Sequence, residues 1–121
     1  MRILLADDDA LLLDLLKVVL SQEGHNVEVV NSAEDAFASF KPDLFDLVIT
    51  DYLMPGKKGL ELAKAIKTQT PNFPVILLTG SAEMIEDKED LKYIDKIITK
   101  PCRLGVLNEA IMQFAQEHKT V

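Results

Sequence analysis

Asp7-Asp8-Asp9 follow the apolar run Ile3-Leu4-Leu5-Ala6, and Asp51 closes Leu47-Val48-Ile49-Thr50 in the same way. Thr79 closes a third run, Val75-Ile76-Leu77-Leu78, and Lys100 closes a fourth, Ile97-Ile98-Thr99. Short continuous apolar runs of this kind read as buried strands. Carboxylates at neighbouring strand ends repel each other: two of them 4 Å apart cost about 4 kcal/mol at an effective dielectric near 20. Lys100 offsets one charge. A hard divalent cation offsets the rest, and an all-oxygen site that retains water suits Mg²⁺. A cation with open positions orients a phosphoryl group and neutralises its charge in transfer. Aspartate is an acceptor in such chemistry, forming an acyl phosphate.

The elements that must position these groups alternate along the chain. Ile3 to Ala6 is a strand. From Ala10 to about Glu23 the residues are strong helix formers rich in leucine, and Gly24 caps the C-terminal end. Val27 to Val30 is a shorter strand. Ser32 starts a helix, with Asp35 in near capping-box spacing, Ala36, Phe37 and Phe40 on the buried face, and Pro42 as its stop. Leu47 to Thr50 is the third strand. A Met54-Pro55-Gly56 turn then leads to a helix from about Gly59 to Thr68, with Leu62, Ala63 and Ile66 inward and Pro71 beyond. The fourth strand is Val75 to Leu78, residues 82–92 form a charged helix, and the fifth strand is Ile97 to Thr99. Leu104, Leu107, Ile111, Phe114 and Ala115 recur at helical spacing to close the chain. Five strands alternating with five helices imply an α/β fold, a doubly wound (βα)5 sandwich on a five-stranded parallel sheet. In the flavodoxin-like strand order 2-1-3-4-5, strands one and three meet at the switch point, outside whose C-terminal ends ligands bind. That order brings Asp7 and Asp8 beside Asp51.

The 121 residues suit one domain, 1–121, either a small protein by itself or a piece of a longer one. With 20 acidic against 13 basic residues and a formal net charge of −7, the chain is a poor partner for nucleic acid or an anionic membrane surface. Cys102 has no second cysteine to pair with, no apolar stretch approaches a membrane span, and the N-terminal apolar run is too short for a signal peptide. The expected compartment is cytoplasmic.

The stretches Leu4-Leu5-Ala6-Asp7-Asp8-Asp9, Asp51-Tyr52-Leu53-Met54-Pro55-Gly56, Thr79-Gly80 and Lys100-Pro101 resemble the receiver domains of two-component response regulators. The resemblance covers essentially the whole chain. It implies that Asp51 is the phosphoacceptor, fed from a phosphohistidine on a sensor histidine kinase or histidine phosphotransfer protein. Asp8 and Asp51 would bind Mg²⁺ through side chains, Leu53 through its backbone carbonyl, and Asp7 through water. Lys100 would contact a phosphoryl oxygen, Thr79 would move its hydroxyl onto another and start the switch, and the Lys100-Pro101 bond would be cis. The domain would catalyse only its own phosphorylation and dephosphorylation. Output to a downstream protein or effector domain, and homodimerisation through the fourth-helix side, belong to the same implication.

The sequence also departs from the family pattern. Ile97 stands where the family has Tyr or Phe, Tyr93-Ile94 where it has Gly-Ala, Cys102 where it has Phe, and Lys58 where it has Asp or Asn. These changes spare the phosphoryl chemistry and gather around the output face. Several chemistry-bearing residues have plainer roles. Asp9 is an N-cap, Cys102 a small hydrophobe, His25 and His118 solvated side chains, and Tyr52 and Met54 packing or rim residues. The first helix is apolar almost all round; the excess, Leu11 among it, is either a docking patch for the phosphohistidine-bearing partner or leucine simply forming good helix. Two other functions fit parts of the pattern: a phosphatase with Asp7 as nucleophile, in which Leu11 stands where the signature needs Thr, and a non-phosphorylated interaction module of the same fold. Leu53 and Ser81, two residues after Asp51 and Thr79, set water access in the family. An apolar Leu53 therefore predicts slow hydrolysis of the aspartyl phosphate: Leu53→Asn should shorten the phosphoryl lifetime in a dephosphorylation time course, and an equal or longer lifetime in the variant contradicts this.

Overall fold

A computed structural model describes residues 1–52, 54, 59–80, 88–101 and 103–119. Strands β1 (Arg2–Ala6), β2 (Asn26–Val30), β3 (Leu47–Asp51), β4 (Val75–Thr79) and β5 (Lys96–Thr99) form one parallel sheet in the order β2-β1-β3-β4-β5. Helices α1 (Ala10–Gln22), α2 (Ala33–Ser39), α3 (Gly59–Gln69) and α4 (Leu104–Lys119) alternate with the strands. The expected sandwich and strand order are therefore present. The helix expected over 82–92 lies mostly outside the described residues, and its described end, Lys88–Tyr93, is a 3₁₀ helix.

Successive side chains of a strand point to opposite faces, so each central strand feeds two cores. Ile3 and Leu5 join Leu47, Ile49, Ile76 and Leu78 beneath α1 and α4. Leu4 and Ala6 join Val48 and Val75 beneath α2 and α3, where Phe40 and Phe73 meet edge to face at 4.9 Å. Leu13, Leu16 and Leu20 supply the inner stripe of α1, and Leu107, Ala110 and Ile111 that of α4. The charged strand ends follow: because β1 and β3 are buried on both faces, the first positions able to carry a carboxylate are where the strands leave the sheet.

Capping fixes how the chain leaves β1. Asp9 is extended and accepts hydrogen bonds from Leu11 N–H and Leu12 N–H at 3.1 and 3.2 Å, as an N-cap should. Ser32 does the same for α2 through Asp35 N–H at 3.0 Å. At the far end of α1, Gly24 takes φ +92°, the left-handed turn that glycine accepts without steric cost.

Three side chains depart from expectation. Phe37 is 50% exposed, because Ala33, Ala36 and Phe40 already occupy the inner stripe of a two-turn helix. Leu104 is exposed because it opens α4 ahead of the turns that reach the sheet. His25 is half-buried, with Nδ1 2.9 Å from the Met1 ammonium. Burial lowers its pKa first and the neighbouring positive charge lowers it further. Pro55, Gly56, Lys58, Ser81 and Cys102 lie outside the described residues.

One close approach sets the site's floor. Gly59 N–H donates to the Tyr52 carbonyl at 2.8 Å, drawing the start of α3 against the end of β3. A Cβ at this position would collide with the Asp51 carbonyl oxygen and lie 3.2 Å from Thr50 Oγ1. Gly59→Ala should therefore destabilise the fold by roughly 1–3 kcal/mol in urea unfolding; an unchanged midpoint would show that the backbone yields there at no cost.

Candidate functional site

The register aligns the strand ends. Ala6 pairs with Thr50, which places Asp7 level with Asp51, and Thr79 pairs with Thr99, one residue before Lys100. All four ends sit on the C-terminal rim of a parallel sheet. Asp7, fully buried, sends Oδ2 to Lys100 Nζ at 2.9 Å, and its Oδ1 accepts from Asp9 N–H at 2.9 Å. Asp51 is also buried; its Oδ1 lies 3.1 Å from the same Nζ and accepts from Tyr52 N–H at 3.0 Å. That N–H is shared with the Leu78 carbonyl at 2.8 Å, which ties the carboxylate to the β3–β4 ladder. Lys100 is held from behind by its own N–H, which donates to the Thr79 carbonyl at 2.7 Å, and the Lys100-Pro101 bond is cis. Thr79 is buried at the end of β4, while Asp8 is exposed at the mouth.

The rim is electrostatically unbalanced. One carboxylate oxygen from each of Asp7, Asp8 and Asp51 can be chosen so that all lie within 4.8 Å of one another. Among the described residues, the Lys100 ammonium faces them. Burial raises the Asp51 pKa from the ordinary carboxylate range, and the charge of Asp7 raises it further; Lys100 and the Tyr52 N–H pull back only part of this. For Lys100, burial works against the charged form, but the hydrogen bonds and charges of Asp7 and Asp51 outweigh it, so its pKa is raised. Both partners of one ion pair thus shift upward: Asp51 because its burial, and then the charge of Asp7, outweigh Lys100, and Lys100 because two carboxylates outweigh its burial.

An exposed Asp8 beside two buried carboxylates fits a hard dication: the donors are all oxygen, and one side is open to water. The expected carbonyl ligand, Leu53, lies outside the described residues. Of the residues expected at the site, Asp7, Asp8, Asp51 and Lys100 meet at this rim and Thr79 ends the adjoining strand. Sequence reasoning missed the Tyr52 N–H on Asp51 and the direct Asp7–Lys100 pair. The first is a backbone group, which no residue type announces. The second joins positions 93 apart in sequence. Behind the site, Tyr52 packs with Leu60 and Leu77, and Leu91, Ile94 and Ile97 lie against that cluster. Ile97, which stands where the family has Tyr or Phe, lies against the cluster that contains Tyr52.

The family model of the response regulator receiver domain matches residues 3–112. The transcriptional regulatory protein YesN of Bacillus subtilis is 32% identical over 122 residues, covering 98% of this chain and 33% of that protein. This chain spans about a third to a half of the length of the curated relatives it matches. The response regulator TrrA of Thermotoga maritima, solved in complex with Mg²⁺–BeF, superposes with TM-score 0.86 at 32% identity, covering 93% of this chain and 97% of that one. TrrA is also solved in complex with the histidine kinase ThkA, with TM-score 0.83, 32% identity and the same coverage. No described helix is long and apolar enough to cross a membrane.

The charge imbalance has a consequence for stability. A carboxyl whose pKa is raised on folding binds protons more tightly in the folded state, so stability falls as pH rises from the unfolded value through the folded one. Above that window, ionised Asp51 destabilises the protein, and below it the penalty is gone. Asp51→Asn should therefore raise the thermal midpoint at neutral pH without divalent cation by roughly 4 °C, on the order of 1 kcal/mol. The gain should vanish in acid, and Mg²⁺ should stabilise the wild type more than the variant. A variant less stable than wild type at neutral pH would contradict this.

Proposed function

This chain belongs to the response regulator receiver domain family, and on that premise we propose that it is a phosphorylation-controlled switch with Asp51 as phosphoacceptor. The observation that carries this reading is the engagement of Asp51 Oδ1 by Tyr52 N–H and Lys100 Nζ at 3.0 and 3.1 Å. These contacts fix the carboxylate plane and commit Oδ2 to the nucleophilic role. Oδ2 attacks the phosphorus of a phosphohistidine on a sensor histidine kinase or histidine phosphotransfer protein. The P–O bond forms as the P–N bond breaks, and the P–N electron pair returns to the imidazole. Lys100 then lies within reach of a phosphoryl oxygen, and the Thr79 hydroxyl moves onto another, drawing the end of β4 toward the site.

Asp8 and Asp51, with Asp7 through water and the Leu53 carbonyl, are the proposed holders of Mg²⁺. When bound, the cation neutralises the phosphoryl charge that the acidic rim would otherwise repel. The Mg²⁺–BeF complex of TrrA supports the same requirement here. Asp7, buried and held through both oxygens, is better suited to keep Lys100 charged and in place.

The partner-facing surface of this reading is α1, which starts beside the acidic triplet. Leu11 is 82% exposed, and Leu15 and Val18 continue the same apolar stripe at spacings of four and three. We assign that stripe to the helix carrying the phosphohistidine, in keeping with the TrrA–ThkA complex. The rest of the proposal takes 1–121 as one receiver domain acting in the cytoplasm, with no direct nucleic-acid contact and no membrane association. It catalyses only its own phosphorylation and dephosphorylation, and it signals to a downstream protein or effector domain, with homodimerisation as one route.

Incubation with acetyl phosphate and Mg²⁺ followed by intact-mass measurement tests the assignment. Wild type should gain the mass of one phosphoryl group, and Asp51→Asn should gain none. An adduct that survives Asp51→Asn but not Asp7→Asn would favour the Asp7 phosphatase. No adduct together with no Mg²⁺ binding would favour a non-phosphorylated module.

A further inference from the structure

The sheet has an open edge at β2, the first strand in the order β2-β1-β3-β4-β5. Asn26 N–H donates to the Met1 carbonyl, and the Val30 carbonyl accepts from Asp7 N–H. In a parallel ladder alternate residues bond to one neighbour, so Asn26, Glu28 and Val30 face β1. Val27 and Val29 point their N–H and C=O groups away from the sheet. Nothing among the described residues pairs with that edge.

Beside its upper half lies a cavity of about 450 Å³. Ala10, Leu13 and Asp14 of α1 form one wall, Asp35, Ala38 and Ser39 of α2 the other, and Val29 to Asn31 the floor. The small residues Ala10, Ala38 and Ser39 hold the helices back from the edge. Asp14 and Asp35 are both exposed and stand on opposite walls. In an added strand, consecutive side chains point to opposite faces. Two adjacent basic residues in such a strand would therefore meet Asp14 and Asp35, one each. A second copy of this chain would bring one acidic edge, with Asp14, Glu28 and Asp35, up to another, on a protein of net charge −7, so the like charges disfavour self-pairing.

We propose that the β2 edge is a docking site for an extended basic segment of a partner protein, paired as an extra strand with Val27 and Val29 and held by Asp14 and Asp35. The outward main-chain groups of Val27 and Val29 lie on a different strand from the rim carboxylates, while Asp14 borders the exposed stripe of α1. It is the strand-addition mode of peptide recognition, with main-chain bonds giving affinity and wall carboxylates giving specificity.

An amide NMR titration of the ¹⁵N-labelled chain with a capped TVKRVT peptide tests the proposal. Val27, Val29 and Asn31 should shift in fast exchange, and the acidic control TVEEVT should shift none of them. Val29→Pro removes one outward N–H that the sheet does not use, at an edge where proline is tolerated. It should weaken binding roughly tenfold, while Val29→Thr should bind as wild type. A TVKRVT peptide methylated on its alternate amide nitrogens probes the same contact on the unaltered chain, and should also lose affinity. Asp14→Asn with Asp35→Asn should remove most of the salt dependence. Equal affinity for the methylated peptide, or shifts confined to another acidic face, would overturn the proposal. Concentration-dependent shifts at Val27 and Val29 without peptide would assign the edge to a second copy instead.

Discussion

At the C-terminal rim of the sheet the Lys100 ammonium lies between two buried carboxylates, 2.9 Å from Asp7 and 3.1 Å from Asp51. Remove that ammonium and two negative charges remain in a rim that water reaches from one side only, an arrangement that costs several kcal/mol. Even with it in place, burial first and the charge of Asp7 second push the Asp51 pKa up despite its ion pair. A site of this kind is incomplete by construction. It is stable enough to fold and acidic enough to attract a cation, and in the proposed function the same lysine is poised to meet the phosphoryl oxygens.

The parallel sheet makes this possible. Strands buried on both faces cannot carry charge along their length, so polar residues collect where β1, β3 and β4 leave the sheet, and Lys100 follows the edge strand β5 on the same side. Parallel pairing then puts all four exits on one side. Around the rim, backbone groups do the fine positioning. The Tyr52 N–H orients Asp51, the Asp9 N–H orients Asp7, and the Thr79 carbonyl anchors the backbone of Lys100. The Gly59 approach to the Tyr52 carbonyl brings α3 against the same strand end. On the output side, the Tyr52 side chain packs with Leu77 of β4 and contacts the cluster that includes Ile97 of β5. The residue whose N–H holds Asp51 therefore also packs with β4 through its side chain.

Much of this was legible in the residues themselves. Four of the five strands were readable because short apolar runs are each cut off by a polar residue, and the strand order came from likeness to the flavodoxin-like arrangement. The Asp9 and Ser32 caps were readable because their side chains act within three residues. Phe37 was misjudged because helical spacing gives an apolar stripe but not its width; on a helix as short as α2, Ala33, Ala36 and Phe40 already fill it. His25 was misjudged because its partner, the Met1 ammonium, is brought to it by β1–β2 pairing.

The sequence by itself determined the strands and the residues at their ends, since hydrophobic patterning and strand-end chemistry are local properties, while the strand order came from likeness to a known arrangement. Only the tertiary structure decided which oxygen meets which nitrogen. The pairing of Lys100 with both Asp7 and Asp51, the shared Tyr52 N–H and the open β2 edge between Asp14 and Asp35 all join groups from different strands or helices. Hydrogen bonds act over about 3 Å, and residue types and spacing locate side chains only to a face or a strand end. The chemistry available was written in the residues; the geometry that selects among them required the fold.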